Sequence, residues 1–300
     1  MSRREAALEE ALKIREAGKG PAPAGGMQET VEELTDLPRF EAGETAIDPA
    51  RVDKHVVCIT EPHSLAAEQY KRIRARIIKG TAKSFLNTIM VTSPDVSEGK
   101  SITALNLAIT LAKEIDYTVL LVDADLRNPS IHRYLGMEPQ YGLSDYLEGR
   151  VKLPDVLIKT GIGKLVVLPG GNVPANPSEL LSSERMRSLV HEMKLRYKNR
   201  YVIFDSSPLL VTADPLSLSG YMDGIILLIQ AARTSSRTAS QAVSLLKDRT
   251  ILGVIFNKVP QYLSSTIYPY HYEYGQQGAV KVYRYGQKPK QATAQITTIK

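Results

Sequence analysis

Gly99-Lys100-Ser101 follows the apolar run LNTIMVTS (86–93) and opens a segment with helical apolar spacing. A glycine there lets the backbone approach a phosphate, and a helix N-terminus offers free N–H groups and a partial positive charge. Lys100 is placed to reach β- and γ-phosphates, and the Ser101 hydroxyl to hold Mg²⁺. The pattern G-x-x-x-x-G-K-[ST] is incomplete, because Pro94 occupies its first glycine. The position between strand and helix therefore carries more weight than the three residues alone. Two other apolar runs end in carboxylates: VLLVDAD, with Asp123 and Asp125, and VIFD, with Asp205. A carboxylate at the tip of a parallel strand faces the ligand crevice. Asp205 suits direct or water-mediated Mg²⁺ binding. Of Asp123 and Asp125, one suits ordering Mg²⁺ and the other accepting a proton from a hydroxyl nucleophile.

These residues need a scaffold that brings strand ends together, and the patterning supplies one. Helical periodicity spans 63–79, about 99–115, 182–197 and about 236–247. Apolar runs at 86–93, 118–125, 164–171, 201–208, 223–231 and 251–259 alternate with them. Unbroken apolar runs of four to seven residues imply strands covered on both faces. The expected fold is α/β, a doubly wound, mostly parallel sheet with its ligand outside the strand C-termini. Residues 1–18 read as a short amphipathic helix, 18–26 (GKGPAPAGG) as a linker, and 27–55 as an irregular lead-in. The division is thus 1–55 helix and linker, 56–260 catalytic domain, 261–300 tail.

Composition narrows the function classes. Apolar residues make up 43% and charged residues 23% of 300, ordinary for a globular chain and unlike a disordered or fibrous one. No run of about 18 apolar residues exists to span a bilayer, and the charged N-terminus lacks a signal-peptide core. The single cysteine, Cys58, allows no intrachain disulfide and no cysteine metal cage, so a reducing cytoplasm is expected. Charge is uneven: residues 1–50 hold 6 basic and 11 acidic side chains, residues 51–260 hold 27 and 20, and residues 261–300 hold 5 and 1. No helix–turn–helix signature or basic stripe accompanies that charge, so no nucleic-acid partner is expected.

Seven of 15 tyrosines fall after residue 260: Tyr262, Tyr268, Tyr270, Tyr272, Tyr274, Tyr283 and Tyr285. Tyrosine usually enters cores or interfaces. This segment, rich in Gln, Gly, Thr and Lys, has no sustained apolar period to build a core and is expected to be a flexible tail.

At these motifs the chain resembles the bacterial tyrosine kinases of capsule and exopolysaccharide systems, P-loop relatives of the MinD and ParA ATPases, and among them the tyrosine autokinases of exosortase loci. The resemblance rests on Val119–Pro129 (VLLVDADLRNP), LPGGNVPANPSELLSS (168–183), Asp214, the strand from Asp223, and Leu252–Lys258, and covers about 60–260. It implies a P-loop, MinD/ParA-like fold and an ATP- and Mg²⁺-dependent protein-tyrosine autokinase that modifies its tail tyrosines in trans. Ser97, Glu98, Gly99, Lys100, Ser101 and Ile102 would bind nucleotide, and Asn257 would lie at the adenine. Asp123 would be the base, Asp125 and Asp205 would support Mg²⁺ with Ser101, and Arg127 would help position phosphate or substrate. Implied partners are a membrane-spanning polysaccharide co-polymerase, a cognate tyrosine phosphatase and further copies of the chain. The chain would then be cytoplasmic, held at the inner membrane through its partner.

Family rings form through E-x-x-R-x-x-R, which here reads Glu68, Lys71 and Arg74. Lysine in the middle loses bidentate geometry; a Glu68–Arg72 pair on a solvated face is the alternative. Val96-Ser97 stands where the family commonly has Pro-Gly, and serine enters positive φ less readily than glycine. Ser207 replaces a proline after Asp205, a change expected to be tolerated. Two rival readings share the fold: a MinD/ParA-like ATPase switch, and a scaffold whose nucleotide site has degraded.

Overall fold

A computed structural model describes residues 47–196 and 199–260, and the backbone of 43–44, 270–274 and 280–284. The expected helix 1–18 and the linker after it lie outside the described residues.

The sheet is built from β1 (Gly43–Glu44), β2 (Thr88–Thr92), β3 (Thr118–Asp123), β4 (Ile158–Lys159), β5 (Leu165–Leu168), β6 (Arg200–Asp205), β7 (Gly224–Gln230) and β8 (Ile251–Asn257). Its order is β1-β4-β5-β3-β6-β2-β7-β8, and all neighbours run parallel except β4 and β5. The longer helices are α1 (Leu65–Thr81), α2 (Lys100–Ala112), α3 (Glu184–Leu195) and α4 (Ser236–Leu245). The doubly wound, mostly parallel α/β sheet expected from the sequence is the architecture found.

Alternation along each strand divides the core. Ile89, Val91, Leu121 and Ile203 pack with Leu105 and Ile109 of α2 on one face. Met90, Leu120, Val202 and Phe204 pack with Leu189 and Met193 of α3 on the other. Successive strand side chains point to opposite faces, so a strand covered on both sides must be apolar at every position. That is why β2, β3 and β6 read as unbroken apolar runs. Helices α1, α3 and α4 start on side-chain caps: Ser64 Oγ accepts from Ala67 N at 3.2 Å, Ser183 Oγ from Met186 N at 3.2 Å and Ser235 Oγ from Thr238 N at 3.0 Å.

The order places β6 between β2 and β3, because the chain crosses over from β2 to β3 and returns later to fill the gap. Three adjacent strand tips therefore carry the loop before Lys100, Asp205 and Asp123. At the opposite end of the sheet Asp223 accepts from Asn87 N at 3.1 Å and Thr88 N at 3.2 Å and pairs with Lys194. This ties the start of β2 to β7, so Asp223 has a structural role far from the strand C-termini.

In the tail, β9 (Tyr270–Tyr274) pairs antiparallel with β10 (Val280–Arg284), in a register that sets Tyr272 against Val282 and Tyr283 against His271. The sequence reading expected no regular element here. The strict alternation in YHYEY is the strand signal it passed over. Tyr262, Tyr268 and Tyr285 lie outside the described residues.

Candidate nucleotide and phosphoryl-transfer site

The loop between β2 and α2 turns on two residues in the left-handed region. Gly99 has φ +99°, and Ser97 has φ +60°. Glycine carries no penalty there, whereas a non-glycine residue costs on the order of 1 kcal/mol. A Cβ on Gly99 would sit 2.3 Å from Asn257 Nδ2, so the glycine is also required sterically. The buried Glu98 ties the loop down: Oε2 accepts from Asp95 N at 3.1 Å, and Oε1 accepts from Gln230 N at 3.4 Å and from the Thr234 hydroxyl. Asn257 Nδ2 donates to Glu98 O at 2.8 Å, and Lys258 Nζ to Ser97 O at 2.6 Å. The backbone N–H groups of Glu98, Gly99, Lys100 and Ser101 have no acceptor among the described residues. They form the free-amide cradle that an anion needs.

Lys100 is buried within α2's first turn. Burial raises the pKa of Asp125 and Asp205, and the Lys100 charge opposes that rise in both. Asp123 and Asp205 are fully buried. Asp123 Oδ2 accepts from Ser130 N at 2.8 Å and Ile131 N at 2.9 Å, while Oδ1 has no partner. Burial pushes Asp123 up to about 7, with the Asp125 charge raising it further against these hydrogen bonds. Burial likewise raises Asp205 well above the usual carboxylate range, with the Asp123 charge adding to it. The Ser101 hydroxyl lies near Asp205 and lowers it, yet neither Asp205 oxygen closes a hydrogen bond of normal geometry. Asp125 is slightly exposed; burial raises it and Lys100 opposes the rise.

Arg127 leaves this group and holds its rim. Nε donates to Asp214 Oδ2 at 2.7 Å and Nη2 to Asp214 Oδ1 at 3.2 Å, and Nη2 also donates to Ser178 Oγ at 2.9 Å. Ser178 Oγ donates to Asp214 Oδ1 at 2.5 Å. Burial works to raise Asp214, but the hydrogen bonds from Arg127 and Ser178 outweigh it and leave the pKa lowered. Ser207 Oγ lies 2.7 Å from Thr212 Oγ1 and 3.5 Å from Asp214 Oδ2, so the residue in the proline position joins this network.

The structure brings Ser97, Glu98, Gly99, Lys100, Ser101, Ile102, Asp123, Asp125, Asp205 and Asn257 to one end of the sheet. Asn257 is turned onto the loop backbone. Glu68, Lys71 and Arg74 lie apart, on α1. Lys71 Nζ meets Glu68 Oε1 at 2.6 Å, so Glu68 takes the i+3 partner, and Arg74 reaches Glu114 Oε1 at 2.7 Å and Thr110 O at 3.3 Å. The sequence reading gave no role to Ser178, Thr234 or Lys258. Ser178 had a local signal in its N-P-S-E-L-L segment; the other two act through contacts 136 and 161 residues away in the chain.

The unpartnered Asp205 oxygens and the nearby Ser101 hydroxyl fit a hard divalent cation such as Mg²⁺ that keeps waters and phosphate oxygens in its shell. Among the described residues no group of three or more His, Cys, Asp or Glu is placed to hold a metal ion by itself.

Residues 89–277 match the CobQ/CobB/MinD/ParA nucleotide-binding domain family. The tyrosine-protein kinase YwqD of Bacillus subtilis is 37% identical over 210 residues, covering 69% of this chain and 87% of that protein. The tyrosine-protein kinase CpsD of Streptococcus agalactiae is 32% identical over 176 residues, 58% of this chain and 75% of that one. The kinase domain of the Escherichia coli tyrosine kinase ETK superposes with a TM-score of 0.65 at 28% identity, covering 76% of this chain and 87% of that domain. With the phosphate cradle, the three carboxylates and these likenesses together, the chain belongs to the bacterial tyrosine-protein kinases built on the CobQ/CobB/MinD/ParA nucleotide-binding domain.

Proposed function

We propose that this chain is an ATP-dependent protein-tyrosine autokinase that regulates exopolysaccharide or capsule synthesis and phosphorylates its own C-terminal tyrosine cluster in trans. One observation carries the chemistry: the loop amides and Lys100 face the buried Asp205 and Asp123 at adjacent strand tips, in a chain 37% identical to a tyrosine-protein kinase.

The amides of Glu98–Ser101 and the Lys100 ammonium bind the nucleotide's phosphates and stabilise charge spreading over the transferring group. Ser101, Asp205 and Asp125 would hold Mg²⁺, which when bound neutralises the β- and γ-oxygens. Asp123 accepts the phenol proton. Its pKa of about 7 and its free Oδ1 support that role, since a base works best when its pKa lies near the working pH. The tyrosine oxygen bonds to the γ-phosphorus, the bond from that phosphorus to the β–γ bridging oxygen breaks, and ADP leaves. Arg127, braced by Asp214 and Ser178, stands at the rim to position phosphate or substrate.

Residues 56–260 form the kinase domain in this reading, with 1–55 as an N-terminal extension and 261–300 as the substrate tail. Each phosphotyrosine adds about −1.5 to −2 charges, so two or three cancel the tail's excess of four positive charges. The modified tail is then repelled from the carboxylate-lined site. No described helix is long and apolar enough to cross a membrane. A membrane-spanning polysaccharide co-polymerase is the proposed anchor and activator in the cytoplasm, a tyrosine phosphatase the proposed antagonist, and Glu68, Lys71 and Arg74 the proposed contact between copies.

The test is incubation of the purified chain with Mg-ATP, followed by phosphotyrosine detection and mass spectrometry of residues 262–285. Signal in the intact chain, lost in Lys100→Met and in a chain ending at 260, is the expected result. ATP hydrolysis without phosphotyrosine, with or without the membrane partner, would favour an ATPase switch instead.

A further inference from the structure

The end of the edge strand β8 does something that neither the phosphate-loop motif nor the carboxylates require. Two consecutive loop carbonyls are held by two consecutive β8-end residues: Ser97 O by Lys258 Nζ at 2.6 Å, and Glu98 O by Asn257 Nδ2 at 2.8 Å. Both facing positions are strained in the same way, with Ser97 at φ +60° and Lys258 at φ +52°. Such outliers persist only where their surroundings over-determine them. The contact spans 161 residues of sequence, so it is tertiary in origin.

We infer that Lys258, together with Asn257, is a positioning clamp that sets nucleotide affinity by holding Ser97 in the left-handed conformation; this rests on the nucleotide-binding reading above. A trans peptide is planar, so the N–H of one residue points opposite to the C=O of the residue before it. Fixing the Ser97 and Glu98 carbonyls toward β8 turns the N–H groups of Glu98 and Gly99 away from it. Those N–H groups have no acceptor among the described residues. Serine at 97 resists this arrangement and glycine would not. A chain with serine there needs an external hold, and the Lys258 ammonium, a charged donor on a carbonyl, is a strong one. Lys258 is exposed and its ammonium reaches the nucleotide loop at Ser97 O, so it acts through the loop.

The experiment measures Mg-ADP affinity by calorimetry, and KM and kcat for ATP, on the full chain. The variants are Lys258→Met, Lys258→Arg, Ser97→Gly and the double variant Ser97→Gly/Lys258→Met. Lys258→Met is expected to weaken Mg-ADP binding and raise KM about fivefold with kcat within about twofold, while melting without nucleotide stays within about 2 °C. Lys258→Arg keeps the donor and stays within about twofold of the parent. In the Ser97→Gly background, Lys258→Met is expected to have almost no effect, because glycine holds the conformation unaided. The inference is overturned if Lys258→Met binds as the parent does, or if it weakens binding by the same factor in both backgrounds. A parent chain that binds no Mg-ADP overturns the nucleotide reading along with it.

Discussion

Asp123 and Asp205 stand opposite one another in the register of the parallel strands β3 and β6, both fully buried, with three of their four carboxylate oxygens unpartnered. Two carboxylates so placed oppose each other's ionisation and are costly to bury as charges. The arrangement makes sense as a site that waits for positive charge.

A pH dependence of stability follows. Both groups have pKa values raised in the folded state, Asp123 to about 7 and Asp205 well above the usual carboxylate range, so between the unfolded values near 4 and these folded ones the native chain holds more protons than the unfolded one. Stability without Mg²⁺ and nucleotide is therefore expected to be highest at the acid end of that window and to fall as pH rises through it. Asp205→Asn removes one buried charge. It is expected to raise the melting temperature at pH 8 by several degrees and to abolish phosphotyrosine formation. Scanning calorimetry of both proteins at pH 5 and pH 8 checks this, and an equal loss of stability at both pH values would refute it.

Gly99→Ala meets two obstacles, a left-handed backbone and Asn257 Nδ2 at 2.3 Å. Nucleotide affinity is expected to fall at least about tenfold, since displacing Asn257 also frees the Glu98 carbonyl. Titration with Mg-ADP reads the loss, and circular dichroism establishes that the sheet remains.

Arg127→Ala strips the buried Asp214 of its bidentate partner. Because the Arg127 side chain is 44% exposed, the cost is discounted for solvent to about 2 kcal/mol. Asp214 is held below its ordinary pKa, so the pair's contribution is present above about pH 4 and lost as pH falls below that. Urea unfolding of parent and variant should therefore differ most at pH 7 and draw together as pH falls progressively below 4.

Arg74 serves two readings, a contact between copies and a brace onto Glu114 and the Thr110 carbonyl within one copy. Arg74→Ala is expected to lower the oligomer's mass in sedimentation analysis. Glu114→Gln removes the internal ion pair alone and is expected to cost under about 1 kcal/mol while leaving the mass unchanged. Equal loss of assembly in both variants would assign Arg74 to the brace.

The elements most legible in the sequence were those with the plainest periodicity. Strands β2, β3, β6 and β7 are covered on both faces and so announce themselves as apolar runs, and β3 and β6 end in the aspartates of the site. The short edge strands β1 and β4 were not legible, because two residues carry no period. Strand β9 was not legible because its alternating residues are tyrosines rather than aliphatics, nor was β10, where VKVYR alternates over only two valines.

From the residues themselves came the phosphate loop, the aspartates at strand ends and the α/β class, since each depends on local order: a run, a glycine, a carboxylate at a fixed step. The tertiary structure alone decided that β6 enters between β2 and β3, setting Asp205 against Asp123 and raising both pKa values. It alone decided that Arg127 turns to Asp214 and that Lys258 reaches back to Ser97. Those relationships join residues between 82 and 161 positions apart. Burial and approach over such separations are properties of the packed chain, and no local pattern encodes them.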